Sequence, residues 1–185
     1  MPIAASEVRI GASGTLYVAP SGTTPPANIA AAWTSFVDLG YLSEDGATVA
    51  RSMTTEQVKA WQSISTIRYL VTDVGIVVSF TLIQFSKSTL PFYMGGGTIV
   101  NQGGGSFKLS ISSSPTIDER VLGLEWVDGA ITNRLIIPRG MVTETGEMPV
   151  GRSGPTQLQV SFAAMTPASG TEMSYILTND TAAFT

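Results

Sequence analysis

The segment Gly75-Ile-Val-Val-Ser-Phe-Thr-Leu-Ile-Gln-Phe-Ser86 decides the fold class. Ile76, Val78, Phe80 and Leu82 fall on one side of an extended chain, and Val77, Ser79, Thr81, Ile83 and Phe85 on the other. The first face predicts a core. The second is mixed, as in a strand that is central in its sheet or covered by a neighbour. The next residues change period. Leu90, Tyr93 and Met94 sit at helical spacing, which predicts a short helix over 87–94. Ser86 is suited to accept an orphan amide of the first turn, Pro91 lies near the start, and Gly95 supplies the left-handed stop. So short a helix depends on tertiary packing.

Most of the remaining chain reads as strand and turn. Strands are predicted at Thr15–Ala19, Phe36–Ser43, Ala47–Ser52, Phe107–Ile111, Glu119–Val127, Ile131–Ile137, Leu158–Ala164 and Ser174–Thr178. Glu44-Asp45-Gly46 and Asp128-Gly129 are turn signals between strands. Met141–Thr145 extends a strand beyond Pro138, and Asp73-Val74-Gly75 reads as a turn into the long strand. The segment 54–74 reads as an extended hairpin with a polar middle at Gln62-Ser-Ile-Ser-Thr66. The expected fold is mainly β, an antiparallel sandwich or barrel with one short flanking helix, an extended hairpin and terminal arms. We expect a single domain over 1–185, with an N-terminal arm at 1–14, the hairpin at 54–74, the helix at 87–94 and a C-terminal tail at 179–185.

Composition narrows the function. Among 185 residues there is no Cys and no His. That removes disulfides, thiolate metal sites, the commonest metal ligand and the usual general base. No cofactor or metal is expected. Charged residues make up 13%, about half the ordinary share of roughly 25%. So little charge points to a surface covered by partner subunits. A net charge of −4 does not suit a groove that grips nucleic acid. No apolar run is long enough to span a membrane, and Met1–Glu7 lacks the pattern of a signal peptide. The protein is expected to stay in the cytoplasm or to join something assembled there.

Several residues invite chemistry. Gly95-Gly96-Gly97-Thr98 follows a helix instead of opening one, so it reads as a helix stop and not a phosphate loop. Glu119 and Glu125, with Asp118 nearby, could form the carboxylate pair of a glycoside hydrolase, but carboxylates on one strand face are commonly inert. Trp126 alternates with Leu122 and Leu124 and reads as core. Trp33 and Trp61 could form a sugar platform, although an exposed Trp more often marks a subunit contact. The contact candidates are Arg51, Glu56, Lys59, Trp61, Gln62, Arg68 and Asp73, with the charges forming ion pairs between subunits.

The order of features also carries a resemblance. Gly14-Thr-Leu-Tyr-Val-Ala-Pro20 is followed by Phe36-Val-Asp-Leu-Gly-Tyr-Leu-Ser-Glu-Asp-Gly46, by Val58-Lys-Ala-Trp-Gln-Ser63, and by Lys87-Ser-Thr-Leu-Pro-Phe-Tyr-Met-Gly-Gly-Gly97. This resembles the major tail tube protein of long, non-contractile-tailed phages (siphophages), especially those of actinobacteria. The resemblance implies a non-enzymatic structural virion protein, a β-sandwich flanked by a helix. Its hexameric rings would stack into a hollow tail tube, and phage DNA would pass through the lumen during ejection without specific binding. It further implies a tape measure protein, tail tip proteins and a tail terminator as partners, and assembly in the host cytoplasm. The competing readings are another phage tail or head-tail component, a carbohydrate-binding β-sandwich and, last, the carboxylate hydrolase.

Overall fold

The computed structural model describes residues 7–114, 116–152 and 154–184. In chain order they form β1 (Ser13–Pro20), β2 (Val37–Asp38), β3 (Leu42–Val58), β4 (Arg68–Leu82), α1 (Thr89–Tyr93), β5 (Thr98–Gly103), β6 (Ser106–Ser110), β7 (Arg120–Asp128), β8 (Ile131–Thr145), β9 (Leu158–Ala164), β10 (Tyr175–Thr178) and α2 (Thr181–Phe184). The main sheet has the order β2-β1-β7-β8-β9-β4-β3, with β10 added to β8. Its pairings are antiparallel. β5 and β6 form a separate hairpin around Gly103-Gly104-Gly105.

One strand turns this single sheet into two layers. β8 pairs with β7 up to Gly140, with an irregularity between Ile137 and Gly140, and pairs with β9 from Gly140 onward. Pro138 lies in that irregularity, where a residue without an amide proton costs the ladder least. Beyond the bend, the inner faces meet. Leu16, Val18, Leu122, Leu124, Leu135 and Ile137 pack in one buried cluster with Val78, Phe80, Leu82, Leu158, Val160 and Phe162. The architecture is sandwich-like and the sheet is not closed; β2 and β3 are its edges.

The long alternating strand is interior, between β9 and β3. Val78, Phe80 and Leu82 are buried as their alternation requires. The strand begins earlier than expected, at Arg68. Asp73-Val74-Gly75 is therefore part of β4 and not a turn, because Asp73 pairs with Thr54 and Gly75 with Ser52. Glu44-Asp45-Gly46 likewise does not separate two strands. Leu42 pairs with Leu82 and Ala47 with Phe80, so the intervening residues loop out of a continuous β3.

α1 forms where helical spacing predicted it, shortened to Thr89–Tyr93. The Ser86 hydroxyl accepts the amides of Ser88 and Thr89, each at 3.2 Å. At the other end the Gly95 amide donates to Phe92 O and the Gly96 amide to Pro91 O, the two bonds of a Schellman stop. Gly95 adopts φ 68° there. The buried face is Thr89, Phe92 and Tyr93; Tyr93 is buried as its spacing indicated, whereas Leu90 is half-buried and Met94 exposed. Phe92 stacks between Phe80 (6.3 Å) and Phe162 (6.2 Å), so aromatic packing holds the helix on the core. A second helix, α2, occupies the region expected as a tail, with the Asp180 carboxylate accepting the Ala183 amide at its start. Of the expected N-terminal arm, residues 1–6 lie outside the described residues.

Candidate assembly site

The outer half of β3 and β4 is a two-stranded arm. Beyond the residues that pair with β9, pairing runs from Arg51↔Ile76 to Val58↔Arg68, and the Ile67 amide donates to Val58 O at 3.0 Å to close the ladder. Residues 59–67 make the connection, held by Ser63 N to Ala60 O (3.1 Å) and by the Thr66 hydroxyl to Gln57 Oε1 (3.1 Å). All of Thr48–Lys59 and Ile67–Val74 is exposed. Hydrogen bonds between its own two strands therefore support this arm, most of them backbone, with the Thr72 hydroxyl donating to Thr54 O (3.2 Å), because no other element covers either face.

One face of the arm continues the core. Val78 and Phe80 are buried, and the residues in line with them toward the tip are Val49, Ile76, Met53 and Val74. Thr72 is an extra residue in β4, since Asp73 pairs with Thr54 while Val71 pairs with Thr55. This bulge advances the alternation by one position. Val71 and Tyr69 thereby join the face that carries Val74, and a strip of exposed apolar side chains extends past the end of the core. At the tip Trp61 is 100% exposed, with Ile64 and Ile67 also exposed. An exposed apolar strip of this length is the kind of surface that protein contacts cover.

The seven predicted contact residues all fall on this arm. Arg51 lies on the apolar face opposite Ile76. Glu56, Arg68 and Asp73 lie on the other face, opposite Leu70, Val58 and Thr54. Lys59, Trp61 and Gln62 occupy the connection. Among the described residues none of these five charges forms an ion pair, although Glu56 and Arg68 are diagonal neighbours. Elsewhere arginines are taken up internally: Arg9 with Asp180, Arg120 with Asp118, Arg134 with Glu125, and Arg139 with Glu119. The residues missed in sequence were Met53, Tyr69, Val71 and Val74. Their common face depends on the bulge at Thr72, which no residue type announces.

The carboxylate-pair reading fails on geometry. Glu119 is gripped through both oxygens by Arg139 (2.6 and 2.8 Å), which holds its carboxyl below the ordinary carboxylate range. Glu125 accepts from Arg134 and, at 2.9 Å, from the Trp33 indole. Each carboxylate serves its own arginine, and neither faces a shared substrate space. Trp33 is no sugar platform either. It stacks on Tyr17 at 4.6 Å, Arg134 lies 5.0 Å from its ring centre, and it rests where a Gly123 Cβ would stand. Burial pushes the Tyr17 phenol up. Arg134 also donates to Asn28 O (2.9 Å) and Ala31 O (2.7 Å), clamping the 21–36 loop on the outer face of β7 and β8. Trp126 packs against the core as its alternation indicated. Among the described residues there is no group of acidic side chains able to hold a metal ion, and no helix is long and apolar enough to cross a membrane.

The profile of the family described as "Phage tail tube protein" matches residues 1–185. No curated protein matches. Among solved structures the chain is similar to a chain of "Cryo-EM structure of the anti-feeding prophage (AFP) baseplate, 6-fold symmetrised". The TM-score is 0.45 at 10% identity, covering 96% of this chain and 97% of that one.

Proposed function

The chain belongs to the phage tail tube protein family, a non-enzymatic structural family of the virion, and from that premise we propose that it forms hexameric rings that stack into the hollow tail tube. Phage DNA passes through that tube during ejection. The observation that carries the ring-to-ring step is the arm: a paired hairpin, exposed on both faces, apolar along one of them and tipped by Trp61. Stacking of this kind is heterologous and grows open filaments, so tube length needs an external measure and a terminator. The tape measure, tail tip and terminator proteins supply those functions. The hexamer follows from the family resemblance, as does joining of neighbouring sheets around the lumen. The exposed edge of β3 suits such joining, since an unpaired strand edge binds another strand readily. A lumen that transmits DNA must not retain it. Retention needs clustered Lys and Arg, whereas this chain carries net charge −4.

Deletion of Gln62–Thr66 tests the reading. The expected product is a folded subunit that no longer stacks, with wild-type protein giving rings or tubes of uniform bore by negative-stain microscopy. Normal tubes from the deletion variant would remove the arm from the ring-to-ring contact.

A further inference from the structure

At the end of β3 opposite the arm lies an open groove of about 1100 Å³. It runs between the starts of β1 and β3, where the sheet fails to close. Its floor is apolar, with Leu124 buried and Trp126 half-buried, and Val49 and Tyr41 stand exposed on its wall. Its rim is acidic. Asp38, Glu44 and Asp45 line it, no Lys or Arg does, and none of the three forms an ion pair among the described residues. Glu44 and Asp45 are there because residues between Leu42 and Ala47 loop out of the ladder.

The arm tip is the complement of this groove. Trp61, Ile64 and Ile67 are apolar and exposed, and Lys59 and Arg68 flank them without ion pairs. From Val49 to Val58 the strand extends about 30 Å at roughly 3.3 Å per residue. Tip and groove therefore lie at opposite ends of one long strand, as a head-to-tail contact requires. We infer that the groove receives the arm tip of a second copy of this chain, with Trp61 over the apolar floor and Lys59 and Arg68 against Asp38, Glu44 and Asp45. The inference rests on the arm being the ring-to-ring contact and adds the surface that accepts it. Opposite charges fix the orientation and suppress tip-to-tip pairing, where Lys59 and Arg68 would meet their own copies.

The absence of cysteine makes the test direct. Gln62→Cys and Asp45→Cys both lie at exposed, irregular positions. The two single variants are mixed and oxidised with diamide, which takes two electrons and two protons from a thiol pair to give one disulfide and the hydrazine. A mixed 62–45 disulfide is expected from the mixture, and a ladder of oligomers from the double variant. Only 62–62 or 45–45 products, or no product above that of Gln62→Cys mixed with Ser112→Cys, would overturn the assignment. Charge exchange gives an independent readout. Glu44→Lys with Asp45→Lys should raise the critical concentration for tube formation at least about tenfold, and Lys59→Glu with Arg68→Glu in the same chain should restore it. If the Gln62–Thr66 deletion abolishes tubes but exchange does not restore them, the arm stands and the groove falls. If the deletion leaves tubes intact, both fall.

Discussion

Trp61→Ala separates assembly from folding. In the free subunit Trp61 is 100% exposed, and no ring contact involves it among the described residues. Its removal should change folding stability by no more than about 0.5 kcal/mol, the usual range for surface substitutions. At roughly 2–4 °C per kcal/mol for a chain of this size, Tm should move by less than about 2 °C. Assembly should respond very differently. A Trp side chain buries about 150–250 Å² when it seats in a partner. Taking about 150 Å² as the area lost on truncation, at about 25 cal/mol per Å², gives an upper figure near 4 kcal/mol. Ordering of the free arm tip reduces this, and central aromatic contacts measured by truncation lie at about 2–4 kcal/mol. A loss of about 2 kcal/mol corresponds to roughly 30-fold and 4 kcal/mol to roughly 1000-fold in the association constant. Calorimetry reads the first quantity, and sedimentation of tubes seeded by tail tips reads the second. A critical concentration within about threefold of wild type would refute the role of Trp61, and a Tm loss above about 5 °C would show that the arm supports the fold.

Gly140→Ala should destabilise the subunit, because the new Cβ would stand 2.4 Å from both the Ala163 carbonyl oxygen and Phe162 Cε1. Overpacking of this kind costs about 1–3 kcal/mol, seen as a lower midpoint in urea. Arg134→Met should cost about 3–5 kcal/mol by leaving Glu125 without its cation and freeing the 21–36 loop; amide exchange should rise at Asn28–Phe36, and unchanged protection would contradict the clamp. The Arg9 side chain holds the Asp180 carboxyl below its ordinary value. Its folded-state pKa is depressed, so the tie between the N-terminal segment and α2 is fully present above about pH 4. It is lost as pH falls through the lower folded value, and amides of Thr181–Phe184 should open only below about pH 4. Opening between pH 6 and 5 would exclude this pair as the cause.

Patterns with a short period were legible. Alternation placed Val78, Phe80 and Leu82, and likewise Leu158, Val160 and Phe162, in the core. Asp128-Gly129 marked the β7–β8 turn, with Gly129 at φ 60°. The arm was legible as a polar-centred hairpin, and its seven named residues all lie on it. Four features were not legible. The loop-out at Glu44-Asp45-Gly46 and the bulge at Thr72 are ladder irregularities, and turn-forming residues look the same inside a strand as between two. The helix face was misread because Phe92 is chosen by the aromatic rings of Phe80 and Phe162 and not by spacing within the helix. The fate of Glu119, Glu125 and Trp33 depended on which arginines lie across the sheet, which sequence distance does not reveal.

By itself, the sequence determined that this protein is built of alternating strands, that it has no His or Cys, and that charge is sparse, at 13% of its residues. These are properties of residue type and of the two-residue repeat of an extended chain. The tertiary structure decided where the strands stop being core and start being arm. Both parts of β4 are alternating strand, the outer part advanced one position by the bulge at Thr72, and the presence of β9 beside Val77–Leu82, with its absence beside Arg68–Ile76, separates a buried face from an exposed one. The same long strand therefore serves the fold at one end and, in our reading, the assembly at the other.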